Sequence, residues 1–102
     1  MSLFRVRESA SNDLYEIGLE SRKTWGDAQV ERYLRKLVHA FELLGEMPEL
    51  GKACDELGPG WRRLPEGSHV IFYRVTPERV VDIIRVLHER MDPDLHLDEQ
   101  DD

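Results

Sequence analysis

The sequence predicts a single α+β domain with the element order β-α-α-β-β-β, in which an antiparallel sheet carries a helical hairpin on one face. Two dense runs of β-branched and aromatic residues, 70–75 and 80–87, are separated by a turn signal at Pro77 and predict a long β-hairpin. Two apolar stripes at helical spacing precede this hairpin. A chain of 102 residues is long enough for one core and too short for two.

Short-range patterns predict the elements of the N-terminal half. Residues 3–7 alternate apolar and basic side chains, which is typical of a short edge strand. Ser9 or Ser11 can cap a first helix that has a thin apolar stripe. Asp27 can cap a second helix with a broader stripe, which Gly45 ends. Because only one or two residues separate the helices, we expect them to form an antiparallel pair.

The C-terminal half predicts a loop, a short strand and the hairpin. Residues 49–60 contain three glycines and a proline, which indicate a loop. Residues 61–64 favour a short strand that leads into the hairpin. A turn centred on Pro77 and Glu78 would place Phe72 opposite Ile83.

This register divides the hairpin into two faces that are both largely apolar, whereas a sheet with one face in water alternates apolar and polar residues. Two helices cover one face, so the second face either binds a partner or is covered by the long loop and the C-terminal tail. The face expected to be left open by the helices, and to bind the partner, carries Val70, Phe72, Arg74, Val81, Ile83, Arg85 and Leu87.

The formal net charge of −7 is unevenly distributed along the chain. Residues 1–90 hold all 14 Lys and Arg and 15 of the 21 Asp and Glu, so residues 91–102 carry six of the seven net negative charges. We therefore expect a domain over residues 1–90 and an acidic tail over residues 91–102. A nearly neutral body with an acidic tail repels a phosphate backbone, which argues against direct nucleic-acid binding.

Residue patterns that carry chemistry are few. The single cysteine, Cys54, excludes an internal disulfide and suits a reducing cytoplasm, and its place in a loop predicts a spare thiol. His69 and His88 lack the spacing of a zinc site, and a triad of Ser68, His88 and Asp82 would lack a nucleophile elbow. No phosphate-binding glycine loop and no apolar run of about 20 residues is present. We expect no metal, cofactor, catalytic residue or membrane span.

Six stretches invite comparison with a known family. They are ASNDLYEI (10–17), TWG (24–26), MPELGKACDEL (47–57), GWRRL (60–64), GSHVIFYRV (67–75) and IIRVLHERMD (83–92). In this order they resemble the ParE branch of the ParE/RelE toxins, the toxin halves of type II toxin–antitoxin pairs. The resemblance covers residues 5–97 and implies the same β-α-α-β-β-β fold. It also implies a ParD-like antitoxin that wraps the toxin, and poisoning of DNA gyrase without catalytic chemistry.

The alternative is the RelE branch, whose members cut messenger RNA in the ribosomal A site with Arg, Lys, His, Glu and Tyr side chains. The sequence departs from that pattern, because a RelE arginine falls at Val70 and no tyrosine follows the last strand. Only Arg90 aligns with a RelE catalytic arginine, and the chain has only three lysines to hold ribosomal RNA. These departures favour gyrase inhibition. A non-toxic interaction module is the third interpretation.

The resemblance also suggests where partners bind. An acidic and apolar antitoxin segment is expected near Arg74 and Arg85, with its apolar side chains in the groove between helices and sheet. The residues expected to support gyrase inhibition follow the last strand and are Arg90, Met91, Leu95 and Leu97. Residues 98–102 are expected to be a solubilising end.

Overall fold

The computed structural model describes residues 3–97, which form a five-stranded sheet with two long helices packed on one face. In chain order the elements are β1 (Phe4–Val6), α1 (Glu8–Trp25), α2 (Asp27–Glu46), β2 (Lys52–Ala53), β3 (Arg62–Glu66), β4 (His69–Val75), β5 (Val81–His88) and α3 (Pro93–His96). The strand order is β1-β5-β4-β3-β2. The predicted α+β class and the order of the long elements are confirmed. No helix within residues 3–97 is long and apolar enough to cross a membrane.

Two features of the sheet differ from the prediction of an antiparallel sheet built from four strands. β1 pairs with β5 in parallel, with Phe4 opposite Val81, so the sheet is mixed. The loop between α2 and β3 holds the two-residue strand β2, which pairs with β3. Pro48–Leu50 and Asp55–Leu57 form short 3₁₀ turns on either side of β2. The two-residue β2 and the three-residue 3₁₀ turns show no periodic pattern that would mark them in the sequence.

The predicted helix caps are wrong. α1 begins after Arg7 without a side-chain cap, and the Ser9 hydroxyl donates instead to the carbonyl of Ile84, at 2.9 Å. Gly26, with φ of 84°, precedes α2, so Asp27 is the first helical residue rather than the cap. Residues with short polar side chains near a helix start can bond to a neighbouring strand as well as to their own helix.

The turn of the β4–β5 hairpin is one residue longer than predicted. The amide of Thr76 donates to the carbonyl of Val80 at 2.9 Å, and Val75 lies opposite Val81. Arg79 has a φ of 69°, in the left-handed region that the last residue of such a loop adopts. No glycine occupies this position, so its left-handed conformation has no signal in the sequence.

A β-bulge then shifts the register by one further residue. Tyr73 lies opposite Ile83 and Phe72 lies opposite Arg85, which leaves Ile84 as the extra residue on β5. The predicted pair of Phe72 with Ile83 is therefore wrong.

The two shifts change which residues share a face. Val81 and Ile83 were predicted on the open face, but they lie under the helices, because a one-residue shift reverses the side of every residue that follows. The bulge adds a second shift, which returns Leu87 to the predicted face.

The face under the helices carries the larger core. Its buried members are Ala10, Ile17, Leu37, Ala40, Phe41, Leu44, Ile71, Tyr73, Val81, Ile83 and Val86. Tyr73 also fixes the loop after α2, because its hydroxyl donates to Pro48 at 2.6 Å and accepts from the amide of Gly51 at 2.9 Å. A side chain at Gly51 would collide with the Tyr73 ring.

A smaller core covers the second face of the sheet. It consists of the buried residues Cys54, Trp61, Phe72, Ile84 and Leu87, with Leu57, Val70 and Leu97 packed against them. The long loop and the start of the C-terminal tail therefore fold over the face that the helices leave uncovered. This is one of the two outcomes that the apolar pattern predicted.

Candidate functional site

The second sheet face was the predicted site for a partner, and the chain itself covers most of it. Phe72 and Leu87 are 3% and 2% exposed, whereas Val70 and Arg74 remain partly accessible. The Arg74 guanidinium lies over the ring of Trp61, 4.5 Å from the ring centroid. A cation held against an aromatic face in this way is stabilised by the ring quadrupole. The accessible part of this face is a polar rim rather than an open apolar surface.

Arg85 belongs to a junction of three elements. Its Nε and Nη2 donate to the two carboxylate oxygens of Asp13 on α1, at 2.8 and 2.9 Å. Its Nη1 donates to the carbonyl of His96 in α3 at 2.8 Å, and the amide of Val86 donates to Asp13 at 2.8 Å. The two charged side chains are only 18% and 14% exposed. Such a bidentate, partly buried pair is stronger than an exposed one, and here it joins α1 and α3 to β5.

The four residues predicted for gyrase inhibition lie on different parts of the surface. Arg90 is exposed directly after β5, and Leu95 on α3 is 79% exposed. Leu97 packs against the second sheet face, and Met91 lines a groove on the other side of β5. The structure therefore leaves Arg90 and Leu95 free for contact and gives Leu97 a structural role. The predicted solubilising end, residues 98–102, lies outside the described residues.

A groove of about 590 Å³ runs between α1 and the end of the hairpin where β4 begins and β5 ends. We call it the α1–hairpin groove. It is lined by Asp13, Glu16, Ile17, Glu20, Ser21, Thr24 and Trp25 of α1, by Ser68, His69, Val86, Leu87 and His88 of the hairpin, and by Met91. Trp25 and Met91 are 41% and 40% exposed, although both are large apolar side chains. Concave sites with exposed aromatic and methionine side chains are typical of partner surfaces.

Two histidines form one wall of this groove. The rings of His69 and His88 meet edge to face with centroids 5.4 Å apart. Nδ1 of His69 lies 2.6 Å from the hydroxyl of Tyr33, and Nδ1 of His88 accepts from the amide of Arg90 at 3.1 Å. Burial, together with the neighbouring His88, lowers the pKa of His69 below its ordinary value. Burial therefore disfavours protonation of His69.

The described residues bring no catalytic set together. Asp82 is held by Arg5 at 2.8 Å and lies at the opposite end of β5 from His88, so Ser68, His88 and Asp82 do not form a triad. Within residues 3–97 no group of three His, Cys, Asp or Glu side chains is placed to hold a metal ion. Cys54 is buried, and this burial raises the pKa of its thiol.

The chain is similar to known proteins in both sequence and structure. A family model described as the ParE toxin of the type II toxin–antitoxin system parDE matches residues 4–93. The chain belongs to the ParE toxin family. It is 46% identical to Toxin ParE1 of Mycobacterium tuberculosis over 96 residues, which cover 94% of this chain and 98% of that protein. It is 40% identical to Toxin ParE1 of Caulobacter vibrioides over 97 residues, which cover 95% and 99% of the two chains.

Solved structures of ParE and RelE relatives share the fold. A chain of the chromosomal ParDE toxin–antitoxin system from P. aeruginosa superposes with a TM-score of 0.73 at 19% identity, covering 86% of this chain and 96% of that one. A chain of the toxin–antitoxin complex RelBE2 from Mycobacterium tuberculosis gives a TM-score of 0.65 at 26% identity, covering 85% and 96%. The ParE-family chain thus has the architecture common to both branches.

Sequence reasoning missed the Asp13–Arg85 junction and the groove beside it. The two residues are 72 positions apart, and nothing near either of them marks the other as its partner. Asp13 lies near the start of α1, yet its carboxylate accepts a hydrogen bond from the amide of Val86 on β5. The Tyr33–His69 contact similarly joins α2 to the first residue of β4 and has no short-range signature.

Proposed function

We propose that this ParE-family chain acts in the cytoplasm by inhibiting DNA gyrase, without catalysing a reaction of its own, and that a ParD-like antitoxin neutralises it. The observation that carries the proposal is the similarity over nearly the whole chain to proteins named Toxin ParE1, at 46% and 40% identity. Gyrase inhibition is the activity that the resemblance to this family implies.

The geometry of the residues that depart from the RelE pattern supports a non-enzymatic mode of action. Val70, which replaces a RelE arginine, packs against the apolar cluster of the second sheet face. Arg90, the remaining counterpart, is exposed beyond the end of β5, and His88 beside it accepts a hydrogen bond from its amide. General acid–base cleavage of RNA needs several groups within hydrogen-bond reach of one phosphate.

The gyrase contact is proposed to use the exposed C-terminal residues. Leu95 projects from α3 with most of its surface in solvent, and Arg90 lies close in sequence. An exposed leucine and an exposed arginine in one short segment supply the apolar anchor and the charge that typical interface contacts combine. Met91 and Leu97 complete the proposed set, Leu97 by holding α3 on the sheet.

We propose that the antitoxin contacts the predicted face, of which only part is accessible. Val70 and Arg74 are accessible there, and Phe72 and Leu87 become accessible only if the loop or Leu97 moves away. Val81 and Ile83 support this face from the helix side, and Arg85 already pairs with Asp13. An antitoxin segment on this face would therefore lie along the accessible rim formed by Val70 and Arg74.

Paired assays on the purified chain test the proposed function. Gyrase supercoiling and cleavage-complex assays are run beside a ribosome-dependent messenger RNA cleavage assay. We expect inhibited supercoiling and accumulated cleaved DNA, with intact messenger RNA. Cleaved messenger RNA with fully active gyrase would favour the RelE-type function, and no effect in either assay would favour a non-toxic interaction module.

Ribosome-dependent messenger RNA cleavage is the second candidate function. The observation that favours it is the shared architecture with the RelBE2 complex at 26% identity. Two observations argue against it. Val70 is apolar, and the chain's own loop covers most of the second sheet face. The two functions also differ in cells, because gyrase poisoning gives filamentation and DNA damage signals, whereas messenger RNA cleavage gives rapid translation arrest.

A further inference from the structure

We propose that the α1–hairpin groove binds a cationic and apolar segment of the antitoxin, with a Lys or Arg of that segment held by Glu16 and Glu20. The inference rests on the proposed function, because it assigns the groove to the antitoxin. It differs from the expectation of an acidic segment beside Arg74 and Arg85, and it names a second surface on the opposite side of β5.

The shape of the groove favours a peptide segment. Its floor is apolar, formed by Ile17 and Val86, which are buried in the main core. Trp25 and Met91 stand at the groove with about two fifths of their surface exposed. Large exposed apolar side chains on a concave surface are stabilised when a partner covers them. A volume of about 590 Å³ accommodates a few side chains of one segment rather than a whole domain.

The charges at the rim decide the chemistry of that segment. Asp13 is already neutralised by Arg85, at 2.8 Å. Within the part of the chain that the structure describes, no cation pairs with Glu16, which lies one helical turn from Glu20 on the same side of α1. Glu20 has only a loose, exposed pair with Lys23, at 3.9 Å. Two carboxylates beside an apolar floor favour a cation that brings apolar neighbours with it.

Three arginines of the sheet already have a partner within the chain. Arg85 is held by Asp13, and Arg5 is held by Asp82 at 2.8 Å. Arg74 lies over Trp61. An acidic partner would have to compete with these contacts, whereas a cationic partner meets Glu16, which pairs with no cation among the described residues, and Glu20, which has only the loose pair with Lys23.

A second copy of this chain fits the groove less well. Its alternating apolar and basic segment is β1, and β1 is already part of the sheet, with Arg5 bound to Asp82. Using this segment as the occupant would require breaking the β1–β5 pairing. A free segment of an antitoxin carries no such cost.

Two synthetic probes test the charge preference on the full chain. Both are fluorescein-labelled 12-residue peptides with leucine at the same positions, one with lysine and the other with glutamate at all remaining positions. By fluorescence anisotropy at low salt, we expect the lysine peptide to bind about tenfold more tightly or better, and added salt to reduce this difference. Equal affinity for the two peptides would overturn the proposal.

Charge variants locate the binding to the groove. Glu16→Lys with Glu20→Lys should reverse the preference, and the milder Glu16→Gln with Glu20→Gln should abolish it if the lysine variant folds poorly. Glu31→Lys with Glu56→Lys is the matched control, because it changes the net charge equally at exposed positions outside the groove. If the control reduces the preference as strongly as the groove variants, the lysine peptide is responding to net charge and the proposal fails.

Competition identifies the occupant. The purified antitoxin that is paired with this toxin, added in excess, should displace the lysine peptide from the unmodified chain. Binding of both at once would overturn the assignment of the groove to the antitoxin. The gyrase assay is independent of this outcome: a chain that inhibits gyrase but shows no charge preference refutes the groove proposal alone, and a chain with the preference but no gyrase inhibition refutes the proposed function alone.

Discussion

The two faces of the sheet are both buried, but different kinds of structure cover them. On one face, α1 and α2 contribute regular apolar stripes to a core that includes Leu37 and Phe41. On the other face, a loop and the C-terminal tail contribute single side chains, chiefly Trp61 and Leu97. The helical cover is continuous and fixed by two long elements, whereas the irregular cover depends on a few contacts. We therefore expect the second face to be the less stable part and the one that a partner can remodel.

The largest expected effect on stability comes from removing one buried aromatic side chain from the cover of each sheet face. Phe41→Ala removes a fully buried ring from the helical cover and should lower the free energy of unfolding by about 3 to 5 kcal/mol. Trp61→Ala should cost less, because the loop that carries it can move into the space that the ring leaves. Urea unfolding of both variants measures the difference. An equal or larger loss for Trp61→Ala would show that the second cover is as rigid as the first.

The junction that anchors the second cover gives the next largest effect. Asp13→Asn leaves Arg85 partly buried without its carboxylate and should lower the free energy of unfolding by about 1 to 3 kcal/mol. Asp27→Asn is the matched control, because Asp27 pairs with Arg22 at 3.4 Å on an exposed surface. Urea unfolding should detect little change for this control, and equal losses at the two positions would contradict the structural role of the junction.

Two leucines of the C-terminal segment separate structure from gyrase contact. Leu97→Ala should lower the free energy of unfolding by about 1 kcal/mol, because the side chain is half-buried against the second face. Leu95→Ala should leave stability unchanged and weaken gyrase inhibition, since Leu95 is almost fully exposed. Urea unfolding and the supercoiling assay are measured for both variants.

Truncation sharpens the same distinction. A chain that ends after Arg90 should lose gyrase inhibition, whereas one that ends after Leu97 should retain it. Because the shorter chain also loses the cover of Leu97, its circular dichroism spectrum is compared with that of Leu97→Ala. Equal inhibition by the two truncated chains would remove residues 91–97 from the proposed gyrase contact.

The smallest effect is a pH dependence at the histidine wall of the groove. The pKa of His69 in the folded chain lies below its ordinary value of about 6.5, so the unfolded chain binds the proton more tightly. Its contribution is fully present above about pH 6.5 and is lost as the pH falls below that value. His69→Gln should flatten the fall in stability between pH 7 and 5, whereas His39→Gln on the exposed side of α2 should not. Parallel pH profiles for the two variants would contradict this.

The sequence predicted the helical cover more completely than the irregular one, for a physical reason. Apolar residues that recur every three or four positions identify α2 and its buried side, and Leu37, Phe41 and Leu44 all lie in the core. A loop shows no such periodicity. Gly51, Gly58 and Gly60 marked it as a loop, but no pattern showed that Trp61 would join the same buried cluster as Phe72.

The sequence did not predict the candidate surfaces correctly where their position depends on the register of the strands. The left-handed Arg79 adds one residue to the turn, which moved Val81 and Ile83 to the other face, and the bulge at Ile84 adds a second shift, which returned Leu87 to the predicted face. The stretches shared with ParE toxins were sufficient for the family, because family membership depends on residue order and not on register. Placing a partner surface required the pairing itself.

Titration of purified toxin against a fixed concentration of gyrase tests the central claim most directly. A non-enzymatic inhibitor should reduce supercoiling in proportion to the toxin added and reach full inhibition only when toxin matches the gyrase binding sites, with stable cleaved DNA in the same samples. Complete inhibition by toxin at about one hundredth of the gyrase concentration would show catalytic action. Unchanged supercoiling at a large excess of folded toxin would contradict the assignment of gyrase as the target.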